Sequence, residues 1–196
     1  PEQVVAIGDR LWRGEPLDGI APLANEATVS TLLEENRRWR ERAGHYLGAM
    51  LHYGGVWYWG ADRVAHLAAR LDRVGARRPG AGGWTLVPDR AVTLPPVAPP
   101  LEVFFSFRSP YSAIAMERVF ALARAHGVEL VLRPVLPMVM RGLPVSTAKR
   151  LYILLDTKRE AQRQGIAFGK VVDPVGAGAE RCLAVTHRLL GTPAAE

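Results

Sequence analysis

LEVFFSFRSPYSAIAMERVF, residues 101–120, decides how this chain is read. The first seven residues are almost wholly apolar, as expected of a strand buried on both faces. Apolar residues at helical spacing follow, at Ile114, Met116, Val119, Phe120 and Leu122, and they predict a largely buried helix that runs to Gly127. VELVLRP, 128–134, then reads as a second strand. A helix of this length between two strands of one sheet calls for a parallel crossover. At the junction stands Ser109-Pro110-Tyr111-Ser112, where a redox protein would carry two cysteines.

Strand-to-helix junctions are where open α/β sheets bind ligands, because free N–H groups at the helix start point outward and carry about half a positive charge. A serine there donates a hydrogen bond to a bound anion or thiolate. The plainer reading is a helix N-cap, with Pro110 at home in the first turn.

Working outward, residues 146–164 predict another amphipathic helix with Ser146 as its cap, and 177–190 a last one. Upstream, 76–100 (ARRPGAGGWTLVPDRAVTLPPVAPP) is dense in proline and glycine and reads as a linker. Before it, helix-spaced Val29, Leu32, Leu33 and Trp39 mark a helix over 26–43. LHY and VWYW around Gly54-Gly55 mark a hairpin. Val64, Leu67, Ala68, Leu71 and Val74 mark a helix with Asp62 as its cap and Gly75 just beyond its end. The clustered Trp57, Tyr58 and Trp59 read as strand packing rather than a stacking platform for bases.

The totals exclude several classes. The chain has 196 residues, 48% hydrophobic and 22% charged, enough for one core or two small ones. No apolar run reaches the roughly 20 residues of a membrane span. Cys182 is the single cysteine, so no internal disulfide and no Cys-x-x-Cys pair exists, which fits a cytoplasmic protein. Set between apolar positions, Cys182 reads as a buried small hydrophobe. A net charge of +6 raises nucleic acid as a partner, but runs such as EENRRWRER at 34–42 mix both signs and read as a solvated helix face. Gly176-Ala177-Gly178 is too short for a dinucleotide fingerprint, and the five histidines show no metal spacing.

The runs LEVFFSFRSPYSAIAMERV, VELVLRPVLP and STAKRLYILLDTKREAQRQGI resemble the DsbA-like branch of the thioredoxin superfamily, nearest in pattern to 2-hydroxychromene-2-carboxylate isomerases and kappa-class glutathione transferases. The resemblance implies an α/β, thioredoxin-like fold with a helical insertion, glutathione as cofactor and a small-molecule substrate. It places Ser109 against the glutathione sulfur as the catalytic residue, and Lys149 against a glutathione carboxylate, with Tyr152 at the matching spacing. LGAMLHYGGVWYWGADRVAHLAARL, 47–71, resembles the end of the same fold. There Asp62 matches the acid that holds the γ-glutamyl amino group, and Met50 joins the cofactor-binding positions. Ala49 stands where the family has its cis-proline, and the asparagine expected near Met140 is missing.

The end of such a domain thus precedes the beginning of one. Together with an opening on Pro1-Glu2-Gln3, this reads as a slice of a tandem protein, in which 1–75 closes one domain and 101–196 opens the next, with the halves able to dock; the other account is a single permuted thioredoxin-like domain assembled from both halves, which would bring Asp62 beside Ser109 and Lys149. The alternative function is a non-catalytic thioredoxin-like module for structure or partner binding. A homo-oligomer stays open; no nucleic acid and no membrane are expected.

Overall fold

Asn25 opens the second helix of the chain by accepting from the N–H of Thr28 at 2.8 Å, an N-cap of the usual kind. The computed structural model describes residues 2–18, 25–81 and 99–190. The chain divides into two compact units, Pro1–Gly44 and His45–Glu196.

The first unit holds α1 (Glu2–Trp12), to which the sequence reading assigned no element, and α2 (Glu26–Arg42), which it expected. Along α2 the mixed-sign run forms a ladder in which Arg37 bridges Glu34 and Glu41 and Arg38 also reaches Glu34. No residue of α2 is buried, and its apolar stripe, Val29, Leu32, Leu33 and Trp39, is exposed.

The second unit starts with the hairpin β1 (Met50–Tyr53) and β2 (Val56–Trp59), antiparallel with Tyr53 opposite Val56. Gly54 and Gly55 take φ of 52° and 74°, the positive pair that a two-residue turn with the strands' own twist requires. A 3-10 turn, Ala61–Arg63, leads into α3 (Val64–Arg73). Asp62 lies inside that turn and makes no cap, which corrects the expectation; its carboxylate pairs with the neighbouring Arg63.

Most of the proline-rich segment, 82–98, lies outside the described residues. After it come β3 (Leu101–Phe105), α4 (Pro110–His126), β4 (Leu130–Pro134), a 3-10 turn (Met138–Arg141), α5 (Thr147–Arg163) and α6 (Ala177–Leu190). β3 and β4 are parallel, Leu101 opposite Leu130, as the crossover pattern predicts. Gly127 ends α4 in the left-handed region at φ 61°, and Ser146 caps α5 through the N–H of Lys149.

Among the described residues, mixed helix and two small two-stranded sheets are compatible with an α/β class. Two expectations fail here. β3 is not buried on both faces: Phe105 is buried, while Phe104 is 66% exposed and Glu102 meets Arg133 across the ladder. Among the described residues β4 is the single strand beside β3, and the face bearing Glu102 and Phe104 is exposed. Cys182 is exposed, at the margin of the α6 side on which Ala179 is buried and Leu183 and Thr186 are half-buried.

Candidate functional site

The carboxyl end of β3 opens into a tight turn. Ser109 donates its N–H to Ser106 O at 2.9 Å, and Arg108 donates its own to Ser106 Oγ at 3.4 Å. Ser109 Oγ accepts from the N–H of Ser112 at 3.2 Å, so the serine is a true N-cap of α4. Its hydroxyl hydrogen is left to donate elsewhere. Ala113 N–H is taken by Ser109 O, and Pro110 has none, so Tyr111 supplies the one backbone donor of this first turn without a partner among the described residues.

Ser109, Pro110 and Tyr111 line a cavity of about 300 Å³, at the low end for small-molecule sites. Its walls are largely apolar, from Val135, Leu136, Pro137 and Met138 after β4 and from Ile153 and Leu154 of α5. Its charge is cationic. Arg108, Arg141 and Arg150 line it against one acid, Asp173, three guanidiniums to one carboxylate. Asp173 is bound by Arg108, with a second contact at 3.0 Å, and this hydrogen bonding holds its carboxyl below the usual range. Arg141 has no ion-pair partner among the described residues.

Of the five residues expected at a binding site, Ser109 alone lines this cavity. Lys149 sits in the first turn of α5, one residue before the lining Arg150. Met50 starts β1 opposite Trp59. Ala49, just before it, is left-handed at φ 54°. Tyr152 and the turn containing Asp62 belong to a second arrangement that the sequence reading missed.

That arrangement is a buried polar cluster on α5. Asp156, 1% exposed, receives the Arg63 guanidinium at 2.9 and 3.1 Å, Arg159 at 2.9 Å, the Tyr111 hydroxyl at 2.6 Å and the Tyr152 hydroxyl at 3.3 Å. Tyr152 Oη also accepts the backbone N–H of Trp59 at 2.9 Å, and Arg159 donates to Trp57 O at 3.1 Å. The outer edge of the hairpin is therefore satisfied by side chains of α5. One turn further, Glu160 meets His66 at 2.5 Å and Arg163 at 2.8 Å. The hairpin and α3 are thus held to the segment that follows the proline-rich stretch. Tyr111 ties the same cluster to the first turn of α4, beside Ser109.

The electrostatics follow the geometry. Burial raises the Tyr111 phenol strongly, reinforced by its hydrogen bond to the Asp156 carboxylate, and burial with the same carboxylate pushes Tyr152 up to about 12. For Glu160 burial acts upward, but hydrogen bonds from Arg163 and His66 and the charge of Arg63 outweigh it and hold its carboxyl down to about 2. A depressed carboxyl contributes stability above its unfolded value and loses it on protonation. Thermal unfolding should therefore show a midpoint that declines between about pH 4.5 and 2. In Glu160→Gln that acid-dependent decline should be visibly shallower; an identical acid limb would contradict the assignment.

No known protein family, no curated protein and no solved structure matches the chain.

Proposed function

We propose that this chain is thioredoxin-like, of the DsbA and chromene-carboxylate isomerase group, and acts as a glutathione-dependent isomerase or transferase on a small electrophile in the cytoplasm. One observation carries the reading: the Ser109 hydroxyl stands at the positive start of α4, at the carboxyl end of a parallel strand pair, on an apolar cavity with excess positive charge. The residues present fit the tripeptide at its anionic groups. Ser109 and the Tyr111 N–H would hold the sulfur; Arg141 and Arg150 would hold carboxylates. Glutathione supplies a nucleophilic thiolate that adds reversibly to a conjugated double bond. The chain's own part is to favour the charged sulfur through the Ser109 hydroxyl and the α4 start, and to exclude water with Leu136, Met138 and Leu154. A serine pair forms no mixed disulfide, so thiol–disulfide exchange is not its chemistry.

Titration calorimetry tests this. Glutathione should give saturable heat; Ser109→Ala should weaken binding roughly tenfold, the worth of one hydrogen bond to a charged group, and Ser109→Thr should restore most of it. Arg150→Ala should weaken binding more than Lys149→Ala, since Arg150 lines the cavity. Unaltered affinity in Ser109→Ala would remove the proposal.

A second reading is favoured by a different observation. Tyr152 is tied to Trp59 and Asp156, and Asp62 to Arg63, as in a scaffold that has kept its fold without chemistry. Such a partner-binding module would give no heat with glutathione.

A further inference from the structure

Away from the Ser109 cavity, α3 and α5 flank a second hollow of about 480 Å³ floored by Tyr58 of β2. Arg70 and Arg73 project into its lining from α3, one turn apart; Lys158 and Arg159 do so from α5, with Gln162 a turn further on. Among the described residues no acidic side chain lines it. The nearby acids are engaged elsewhere: Asp72 with Arg77 at 2.6 Å, Glu160 with His66 and Arg163, and Asp156 with Arg63 as well as Arg159.

Each cation is placed differently. Arg159 lies over the Tyr58 ring at 4.7 Å and spends one nitrogen on Trp57 O and Asp156. Its Nε and Nη1 are buried without a hydrogen-bond partner, an uncompensated demand for an acceptor. Arg70 is anchored by Gly54 O at 3.0 Å and by the Tyr53 ring at 5.6 Å, which fixes its head at the rim. Arg73 and Lys158 are exposed, with no ion-pair partner among the described residues.

We infer that this hollow is an anion site for a phosphate-bearing organic molecule. Three cations with no ion-pair partner among the described residues, Arg70, Arg73 and Lys158, face one concavity beside Arg159, whose charge Asp156 meets, and guanidinium forks match phosphate oxygens two at a time. The space is larger than one phosphate group fills, and Val56, Val74 and Leu155 give it an apolar border for the rest of the molecule. The inference is independent of glutathione and of Ser109, which lies on the other cavity.

Inorganic pyrophosphate, titrated calorimetrically into the full chain at low salt, is the first probe. Saturable binding is expected, weakened at least about tenfold in Arg73→Gln/Lys158→Gln, whose exposed positions spare the fold. A wild-type chain without saturable heat, or a double variant of unchanged affinity, overturns the site. The source of the phosphate is read by cosedimentation with anionic phospholipid vesicles. Capture released by pyrophosphate assigns a lipid headgroup, and pyrophosphate binding without capture assigns a soluble phosphorylated molecule. A short DNA duplex that binds more tightly than pyrophosphate, and is lost in the double variant, overturns the proposal in favour of nucleic acid.

Discussion

Asp156→Ala should cost the second unit about 3–5 kcal/mol, the range for breaking a buried ion pair from one side. The carboxylate is 1% exposed and serves two guanidiniums and two phenols. Without it, Arg159 has no ion-pair partner among the described residues, Arg63 keeps only Asp62 and the more distant Glu160, and the Tyr111 and Tyr152 hydroxyls lose their acceptor. Urea unfolding should show the loss as a lower midpoint. Asp156→Asn, which keeps shape and one acceptor, should fall between. A double-mutant cycle with Arg63→Ala should return a coupling of about 1–3 kcal/mol, because the two groups share one interaction. Additive losses would show that the hairpin–helix piece and α5 are held by something else.

The second large effect belongs to Tyr58→Ala, at about 3–5 kcal/mol for removing a buried aromatic ring. Tyr58 is 2% exposed, the one fully inward residue of β2, and its ring lies beneath the Arg159 guanidinium. Truncation leaves a void under a cation that also donates to Trp57 O and Asp156, so the loss should propagate to the hairpin edge. Tyr58→Phe keeps the ring and should retain most of the stability in the same urea assay. A Tyr58→Ala midpoint within experimental error of wild type would contradict this picture of the core.

The turns and helix limits were legible because backbone chemistry writes them locally. Gly54-Gly55 demands a tight hairpin, Gly127 a left-handed helix end, and Ser109 and Ser146 cap α4 and α5 through N–H groups three residues on. What stayed hidden is long-range. The buried face of α5 carries Tyr152, Asp156, Thr157, Glu160 and Ala161, while Leu151 and Leu155 are exposed, so hydrophobic periodicity points to the wrong side of the helix. Arg63, 93 residues away, joins Arg159, Tyr111 and Tyr152 in making a buried aspartate tolerable, while the equally distant Trp59 N–H binds the Tyr152 hydroxyl, and no local pattern announces these long-range partners. In Trp59-Gly60-Ala61-Asp62-Arg63 the resemblance points to Asp62, whereas Arg63 is the residue turned inward. Phe104 misled in the opposite sense: an apolar run predicts double burial, whereas among the described residues β3 has a single neighbouring strand and one bare face.

Whether the α4 start handles sulfur is tested most directly by the ultraviolet absorbance of the glutathione thiolate, followed against pH with saturating protein. The account predicts that bound glutathione ionises below the ordinary thiol value of about 8.5, and that Ser109→Ala moves the midpoint back toward it. A bound midpoint equal to that of free glutathione, unmoved by the substitution, would contradict it.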